Sequence, residues 1–401
     1  MTTHRALLTA AVLLLSVHGA ARAEGDDVFT LSADTSLVRD NNLFRLSSSA
    51  NTLALIGRDS AAEQINITTL GVRAAKSYSL QRFELGASVV DQRYQNFSYL
   101  NSVANNYDAA WRWSLTPSFH GNLVNSRRES LNSFVDVQGY NTRSQRVNYD
   151  TRWDGQFEID GVWRALAGVS QGTQKSLQNQ STEADTSTNG ADLGVAYAFA
   201  SGSTLSYTLR NSKGQYLNRV LPNTSLLDDT FNQVDHEFRI RWVMDGITTA
   251  GLHATGITRT HPTYSQRDYN GIAAGANIKV NLSGKTSLAV DWSRELSAYQ
   301  DGITNYSQID RLVVGPVWQI GAKTMLRLRH EIALRDYLGS PTPLAATTRT
   351  DTTRDTTLSL DWQPSTNVTL SASLQDARRT STVTGLDYQS TQTTVSARFA
   401  Y

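Results

Sequence analysis

The sequence contains no cysteine among its 401 residues. This absence excludes a disulfide framework and any catalysis by a thiol. It fits a bacterial chain that crosses the periplasm unfolded, although many soluble proteins also lack cysteine. Proline is scarce as well, with seven residues, while glycine is common, with 26. Together with the many Thr, Tyr and Val residues, this composition disfavours helix.

Long apolar runs are missing after the first 23 residues. No later segment has 18 consecutive apolar residues, which excludes a membrane-spanning helix there. The first 23 residues contain Arg5, the apolar stretch ALLTAAVLLLSV and the small-x-small site Ala21-Arg22-Ala23. This pattern is typical of a secretory signal peptide that is cleaved after Ala23. We therefore expect a signal peptide over 1–23 and one domain, outside the cytoplasm, over 24–401.

An excess of one charge is also missing. The chain has 37 basic and 36 acidic residues, and two of the basic ones, Arg5 and Arg22, belong to the signal peptide. The mature chain therefore has a nearly balanced charge. No strong field remains to recruit nucleic acid, so nucleic acid is not an expected partner.

What the sequence does contain is alternation with a period of two residues. The segment NYDAAWRWSL (106–115) places Trp111 and Trp113 on one face and Asp108 and Arg112 on the other. This pattern is typical of a strand with two unlike faces. About 18 such segments follow one another, each long enough to cross a bilayer as a tilted strand of about 9–11 residues.

The connections between these segments alternate between short and long. Turn residues predict short connections near 77–81, 116–118, 159–161, 200–203, 245–246, 283–285, 321–323 and 364–367. Longer polar loops are predicted around 40–63, 97–105, 128–142, 174–187, 212–231, 260–268, 297–305, 336–354 and 378–390. This arrangement indicates an up-and-down meander with short periplasmic turns and longer extracellular loops.

Aromatic residues separate a membrane barrel from the soluble alternatives. A β-sandwich would scatter its core aromatics along the strands, and a β-helix or propeller would show a repeat motif, which is absent. Here the aromatics lie on the apolar face near the short turns, as in the girdle at one interface of a membrane barrel. The predicted periplasmic girdle consists of Trp113, Trp153, Trp163, Trp242, Trp318, Trp362, Phe399 and Tyr401. The predicted fold class is therefore all-β, a transmembrane antiparallel up-and-down β-barrel of about 18 strands (16–20).

The chain ends with TTVSARFAY, which continues the alternation to the last residue. We interpret it as the closing strand, with Tyr401 at the periplasmic rim. The segment resembles the C-terminal signal of outer-membrane proteins, an aromatic last residue preceded by apolar residues at alternate positions. The resemblance implies assembly by the barrel-assembly machinery in a bacterial outer membrane, with outer-membrane lipids around the barrel.

A barrel of 16–18 strands leaves an aqueous lumen, so a pore is the expected function. Its inner face combines charges of both signs, which suits neutral or weakly charged solutes such as sugars. The same charges also have a purely structural interpretation, in which they pair and stiffen the wall. The candidate lumen-lining residues are Arg112, Arg152, Asp154, Glu237, Arg239, Arg241, Arg311, Arg327, Arg329, Glu331, Asp361 and Arg398.

No enzyme motif is recognisable in the sequence. GxSxG, HExxH and paired catalytic carboxylates are not found, and the histidines are scattered. We therefore assign no catalytic residue, metal site or cofactor. The acidic stretches 226–229 and 351–355 are interpreted as solvated loops.

One motif resembles a known family. The segment LSADTSLVRDNNLFRLSS (31–48) is similar to the N-terminal signature of the EpsL-like exopolysaccharide-operon outer-membrane proteins, often grouped with β-barrel porins. The matching residues are Asp40, Asn41, Asn42, Leu43, Phe44, Arg45 and Leu46. The resemblance implies a pore that exports a polysaccharide, with a periplasmic export component as partner. A structural interpretation is equally open, in which the asparagines form a turn and Phe44 anchors a rim or plug.

From these observations we expect an outer-membrane pore for export of an exopolysaccharide. A general or sugar-uptake porin is the first alternative, and a structural or adhesive surface barrel is the second.

Overall fold

The computed structural model describes residues 28–135, 143–178, 185–219, 227–244, 247–298, 304, 306–339 and 349–401. The predicted signal peptide and the predicted turn at 245–246 lie outside these residues. Eighteen strands are present in the described residues. They are β1 Val28–Asp40, β2 Glu63–Tyr78, β3 Gln81–Tyr94, β4 Ser102–Thr116, β5 Phe119–Leu131, β6 Gln145–Glu158, β7 Trp163–Ser176, β8 Thr186–Ala198, β9 Thr204–Tyr216, β10 Thr230–Val243, β11 Thr248–Thr260, β12 Tyr269–Asn281, β13 Thr286–Ala298, β14 Tyr306–Gly321, β15 Thr324–Leu338, β16 Thr350–Ser365, β17 Val368–Ser381 and β18 Tyr388–Ala400.

Each strand pairs antiparallel with its neighbours in sequence, and the last strand pairs with the first. In the closing pair, Ser32 lies opposite Ala400 and Asp40 lies opposite Gln392. Closure leaves no unpaired sheet edge, which is what a sheet in hydrocarbon requires. The predicted 18-stranded up-and-down barrel is therefore confirmed.

Burial is inverted relative to a soluble protein. On β10, Phe238, Ile240 and Trp242 are 56, 40 and 53% exposed on the outer face. The charged residues Glu237 and Arg239 alternate with them on the inner face. The same alternation runs through the other strands and produces an outer band of exposed apolar side chains, as in a barrel whose solvent is lipid.

Within the described residues, helix occurs only in short pieces at the end of the barrel with the long loops. A five-residue helix, α1 (Thr52–Ile56), lies between β1 and β2, with Asn51 as its N-cap and Gly57 as a left-handed C-cap. Single 3-10 turns span Ser98–Leu100 and Ser265–Arg267. Among the described residues, no helix is both long and apolar enough to cross a membrane.

The strands extend further towards the loops than the sequence predicted. The stretch 351–355, interpreted above as a solvated loop, belongs to β16, and Asp351 is only 3% exposed. The other acidic stretch also differs, because Asp228 is 6% exposed. Both carboxylates accept hydrogen bonds at the base of loops, which is why polar residues are buried there.

The buried hydrophobic cluster does not fill the barrel. It lies at the loop end, where the β1–β2 and β3–β4 loops pack on the upper inner wall of β1 to β3. We call it the mouth cluster; it consists of Val38, Leu43, Phe44, Leu46, Ile56, Ala61, Ile65, Tyr94, Phe97 and Leu100.

Candidate functional site: the inner wall and the mouth

All twelve predicted lumen residues lie on strands, on the face opposite the exposed apolar side chains. Arg112 alternates with the exposed Trp111, and Asp361 alternates with the exposed Leu360 and Trp362. The sequence pattern therefore places them on a common inner wall. What it does not predict is which of them pair.

One chain of polar contacts runs around the wall from β3 to β6. The Arg112 guanidinium binds both oxygens of Glu84 at 3.0 Å, and Arg82 donates to the same carboxylate at 2.9 Å. Arg112 also donates to the amide oxygen of Asn122 at 3.1 Å. Asn122 in turn donates to Asp154 at 2.9 Å. Arg112 is therefore held in a fixed orientation by two neighbouring strands.

The chain continues across β7. Arg152 on β6 makes a bidentate pair with Asp192 on β8, at 2.8 and 3.0 Å. Asp192 also lies 3.5 Å from Arg210, and its side chain is only 4% exposed. Gly168 of β7 lies beneath the pair, where an added Cβ would approach Arg152 to 2.6 Å. Glycine at this position therefore makes room for the cross-strand contact.

A second chain of contacts occupies the opposite part of the wall. Arg311 on β14 lies 3.6 Å from Glu295 and 3.1 Å from Glu331. Arg329 also pairs with Glu331. The wall therefore carries two separate ladders in which each carboxylate faces arginine.

Some of the predicted residues pair differently from the sequence-based expectation. A wall stiffened by paired charges would bring Arg239 and Arg241 to carboxylates on neighbouring strands, but Arg239 binds Glu237 on its own strand at 2.8 Å. Arg241 donates to the backbone oxygen of Gly202 at the turn end. None of their four neighbours across the register is a carboxylate, which explains the difference.

The remaining predicted residues lie on β15, β16 and β18. Arg327 pairs with Asp361 across the β15–β16 register, and Ser371 donates to the same carboxylate at 2.6 Å. Arg398 lies 3.8 Å from Asp34 at the closing pair of strands.

A recess of about 230 Å³ opens in the inner wall beside Arg398. Arg73, Arg128 and Asp108 also line it, and Arg128 lies 3.3 Å from Asp108. Arg128 belongs to β5 and not to the loop predicted around 128–142, and its parity with the inward Ser126 indicates the inner face. The recess brings three guanidinium groups and one carboxylate to the lumen surface.

The motif at 40–46 forms a compact hydrogen-bonded turn at the mouth. The Asp40 carboxylate accepts from the backbone N–H of Asn42, from Arg45 and from the Ser390 hydroxyl, each at 2.8 Å. Asn42 and Leu46 exchange two hydrogen bonds, at 2.8 and 2.9 Å. The turn is therefore fixed to both sides of the β1–β18 closure.

The two flanking motif residues complete this attachment. Asn41 exchanges hydrogen bonds with Thr391 of β18, at 3.2 Å between the backbones and 2.8 Å through its side chain. The backbone N–H of Leu43 donates to Ala61 at the far end of the same loop. These contacts hold the first loop in place and direct Phe44 away from solvent.

Phe44 is fully buried in the mouth cluster. Its ring centroid lies 4.7 Å from that of Phe97 and 4.7 Å from that of Phe134, both in edge-to-face contact. Phe97 belongs to the β3–β4 loop and Phe134 to the β5–β6 loop. One aromatic residue thus joins three loops over the inner wall.

A further contact joins loops from distant parts of the ring. Arg379, on the inner face of β17, donates to the backbone oxygen of Val135 at 2.8 Å and to that of Leu386 at 2.6 Å. Val135 follows β5, which is six strands away around the barrel. The described loops are therefore held over part of the mouth.

The β3–β4 and β11–β12 loops, on different sides of the mouth, share one hydrogen-bonding pattern. Glu63 accepts hydrogen bonds from the backbone N–H groups of Asn96 and Phe97, at 2.9 and 2.7 Å. Asp228 accepts from Thr263 and Tyr264 in the same way, at 3.1 and 2.8 Å. Each carboxylate therefore satisfies the two amides that precede a 3-10 turn.

In both loops, the side chain that follows the 3-10 turn accepts a hydrogen bond from the backbone where the loop begins. Asn101 accepts from the backbone N–H of Tyr94 at 2.8 Å, and Asp268 accepts from that of His261 at 2.6 Å. The His261 ring lies 3.2 Å from the same Asp268 oxygen. Burial lowers the pKa of His261, although hydrogen bonding to Asp268 acts in the opposite direction.

The predicted aromatic girdle lies at the turn end. Trp153, Trp163, Trp242, Trp318 and Trp362 are 40–53% exposed, and Tyr401 is 62% exposed, whereas Phe399 is only partly exposed.

Trp113 differs from the expected exposed position, because it is 5% exposed. Gly121 and Gly155 leave space for its ring, which stacks on Trp153 at 5.8 Å.

No group of three or more His, Asp or Glu side chains in the described ranges is arranged to hold a metal ion. His236 and His330 lie on the outer face, where they contact the Tyr207 and Thr356 hydroxyls at 2.9 and 2.8 Å.

Comparison with solved structures supports this description of the fold. OpdO of Pseudomonas aeruginosa matches with a TM-score of 0.53 and 13% identity, covering 94% of this chain and 97% of that one. OccK2 (OpdF) of Pseudomonas aeruginosa, solved in complex with glucuronate, matches with a TM-score of 0.51 and 12% identity, covering 94 and 98%. A BenF-like porin of Pseudomonas fluorescens matches with a TM-score of 0.51 and 10% identity, covering 94 and 99%.

No protein-family model matches the chain, and no curated protein is similar in sequence. The comparisons thus support a β-barrel porin fold but not the exopolysaccharide family name that the motif suggested. Because the closed barrel also exposes an apolar outer band, the chain is a protein of the bacterial outer membrane, with its long loops extracellular.

Proposed function

We propose that this barrel is a passive uptake pore for small, polar, weakly charged solutes. The observation that carries the proposal is the inner wall, where carboxylates face arginines in two ladders. Paired charges leave many hydrogen-bonding groups but little net field, so neither cations nor anions are strongly selected. Under this proposal, the protein acts as a channel and has no catalytic role.

The arrangement of the loops at the mouth favours passage of small solutes over passage of polymers. The loops that carry Phe44, Phe97 and Val135 fold over the inner wall, and Arg379 of β17, six strands from β5, holds one of them. We expect these loops to hinder a polymer at the mouth, because Phe44 fixes them in place as a fully buried residue. A monosaccharide or similar solute has less cross-section to accommodate.

The solute class follows from the donors and acceptors on the wall. Sugars offer many hydroxyl groups, which match arginine, asparagine and carboxylate partners. OccK2, which has the same fold, was solved with glucuronate, a sugar acid. The recess at Arg73, Arg128 and Arg398 offers this chain a place for such a partly anionic solute.

The test is a liposome-swelling assay with the purified, refolded barrel. We expect rapid entry of monosaccharides, slower entry of disaccharides and little entry of longer oligosaccharides. Liposomes with the heat-denatured protein serve as the control. Absence of monosaccharide entry through correctly folded barrel would overturn the proposal.

Export of a polysaccharide is the second candidate. The motif at 40–46 favours it, since that segment resembles an exopolysaccharide-operon protein and lies at the mouth. In the native host, deletion of the gene should then reduce surface polysaccharide and increase periplasmic polysaccharide. That outcome would replace the uptake proposal, and a periplasmic export component would become the expected partner. If deletion changes neither solute uptake nor polysaccharide export, a structural or adhesive role is favoured.

A further inference from the structure

A shallow groove of about 430 Å³ crosses the outer wall at the closure of the barrel. It runs perpendicular to the strands, along a row of residues that share one register. The row consists of Leu360, Ala372, Val395, Leu37 and Asn66, on five successive strands. Four interstrand steps make it about 19 Å long, which is enough to follow one leaflet of a ~30 Å hydrocarbon core at a slant.

The adjacent row explains why the surface is concave. Trp362 and Leu370 are large, while Ala397 and Thr35 beside them are small. Together with Ala372, the small residues form a floor that is bordered by larger apolar side chains. The groove therefore has the shape and chemistry for an extended acyl chain.

The two ends of the groove differ in polarity. Leu360 belongs to the apolar band of β16, and the exposed Trp362 below it belongs to the girdle. Asn66 lies above the apolar band of β2, on the extracellular side, and its side chain is exposed. A lipid of the outer leaflet has the same orientation, with its headgroup above and its chain below.

An unpaired cation lies at the upper end. Arg39 follows Leu37 on the same face of β1 and is exposed. In the described parts of the chain, its guanidinium has no hydrogen bond or ion pair. Gln64 and Thr393 lie directly opposite Arg39 on the neighbouring strands. Asp91 lies two strands away on β3, opposite Thr68 of β2, and its carboxylate is paired with Arg93 at 2.8 Å.

From these observations we infer that the groove is a specific site for a phosphorylated lipid of the outer leaflet. One acyl chain lies along the floor at Ala372, Ala397 and Thr35. The phosphate lies at Arg39, with the side-chain amides of Gln64 and Asn66 as further donors. A second copy of the chain is the less suitable occupant, because two rows cover far less than the ~800 Å² per partner of a stable interface.

The experiment uses native mass spectrometry of the folded barrel in detergent, with hexa-acylated lipid A carrying both phosphates as the probe. We expect a one-to-one adduct, with much weaker binding of dephosphorylated lipid A. Arg39→Gln should weaken binding about five-fold, the usual effect of one cation near an anionic lipid surface. Ala372→Leu combined with Ala397→Leu should remove the adduct, because the two side chains fill the floor.

Matched controls lie on the opposite outer wall. Ala276 is an outward alanine between Leu252 and Trp292, and Lys213 is an exposed outward cation. Ala276→Leu and Lys213→Gln should leave the adduct unchanged. The inference is overturned if the controls lose as much binding as the groove variants, if dephosphorylated lipid A binds equally well, or if wild-type barrel forms no adduct. A dimer that only the groove variants disrupt would assign the face to a second copy instead.

Discussion

Arg152 and Asp192 meet across an intervening strand, because Gly168 between them has no side chain. Asp192 also lies near Arg210, so one nearly buried carboxylate compensates two guanidinium groups. The arrangement makes this carboxylate the point on which the charge balance of the β6–β9 wall depends.

Removing the charge of Asp192 should therefore make the pore prefer anions. In Asp192→Asn, Arg152 and Arg210 keep their charges and lose their common partner. An uncompensated charge a few ångströms from a passing ion shifts its energy by up to about 1 kcal/mol in water, which is a two- to five-fold change in the chloride-to-potassium permeability ratio. Reversal potentials in a KCl gradient measure this ratio. Asp376→Asn, on the outer face of β17, should leave it unchanged.

The mouth cluster makes a second prediction. Phe44→Ala removes a fully buried ring that joins three loops, which should cost about 3–5 kcal/mol of local stability. The loops should then open more often, and single-channel conductance and oligosaccharide entry should rise. Leu53→Ala, in the same loop but 59% exposed, is the control and should change neither. Unchanged conductance in a folded Phe44→Ala barrel would show that the cluster does not narrow the pore.

The two loops of common design make a third prediction. Glu63→Gln should weaken the hydrogen bonds to Asn96 and Phe97, because a carboxylate accepts more strongly than an amide. The loss is about 1–3 kcal/mol, since Glu63 is buried. Hydrogen exchange at the Phe97 amide should accelerate accordingly. Asp228→Asn should have the same effect on Tyr264 and none on Phe97, which makes each variant the control for the other.

The loop that contains His261 should also respond to pH. Its pKa is lowered in the folded loop, so protons bind the open loop more tightly than the closed one. The stability of the closed loop is thus complete above about pH 6.5, the ordinary value, and falls as the pH drops towards the lowered pKa. Hydrogen exchange over 261–268, corrected for intrinsic rates, should be faster at pH 5.5 than at pH 7.5. In His261→Gln this difference should disappear.

The fold was predictable from sequence because a membrane barrel is defined by local rules. Period-two alternation gives each strand, and turn residues give each short connection, so the strand number follows without any long-range information. Loop boundaries were less accurate. In 351–355, Asp351 looks like part of a solvated loop in sequence, but its carboxylate is buried and accepts a hydrogen bond from Ser381, which only the register with β17 places opposite it.

The site was predictable only in part, for the same reason. Parity placed Arg112, Arg239 and the other candidates on the inner face. The ion-pair partners of these residues depend on which residues lie opposite them on the neighbouring strands. That register cannot be read from the local pattern, because the strands differ in length. Arg239 is one residue whose partner parity does not predict, because the carboxylate that it binds is on its own strand. Parity also fails to predict the burial of Trp113. This residue has lipid-facing parity, but Gly121 and Gly155 on β5 and β6 leave space in which its ring is buried.

The last strand makes the final prediction. Tyr401 exchanges backbone hydrogen bonds with Leu31 of β1, each at 2.8 Å, so it extends the closing pair of strands by one residue. Replacing Phe399 and Tyr401 together with serine keeps these backbone bonds but removes the aromatic side chains at the periplasmic rim. If those side chains serve recognition during assembly, the outer-membrane level of the heat-modifiable barrel should fall sharply, while the purified variant should still refold in detergent. Loss of refolding as well would assign the aromatics to stability, and normal outer-membrane levels would contradict a role of the closing strand in assembly. Serine replacements of Phe157 and Trp163, aromatic residues of the same rim on the outer face of β6 and β7, are the matched control for lost lipid contact.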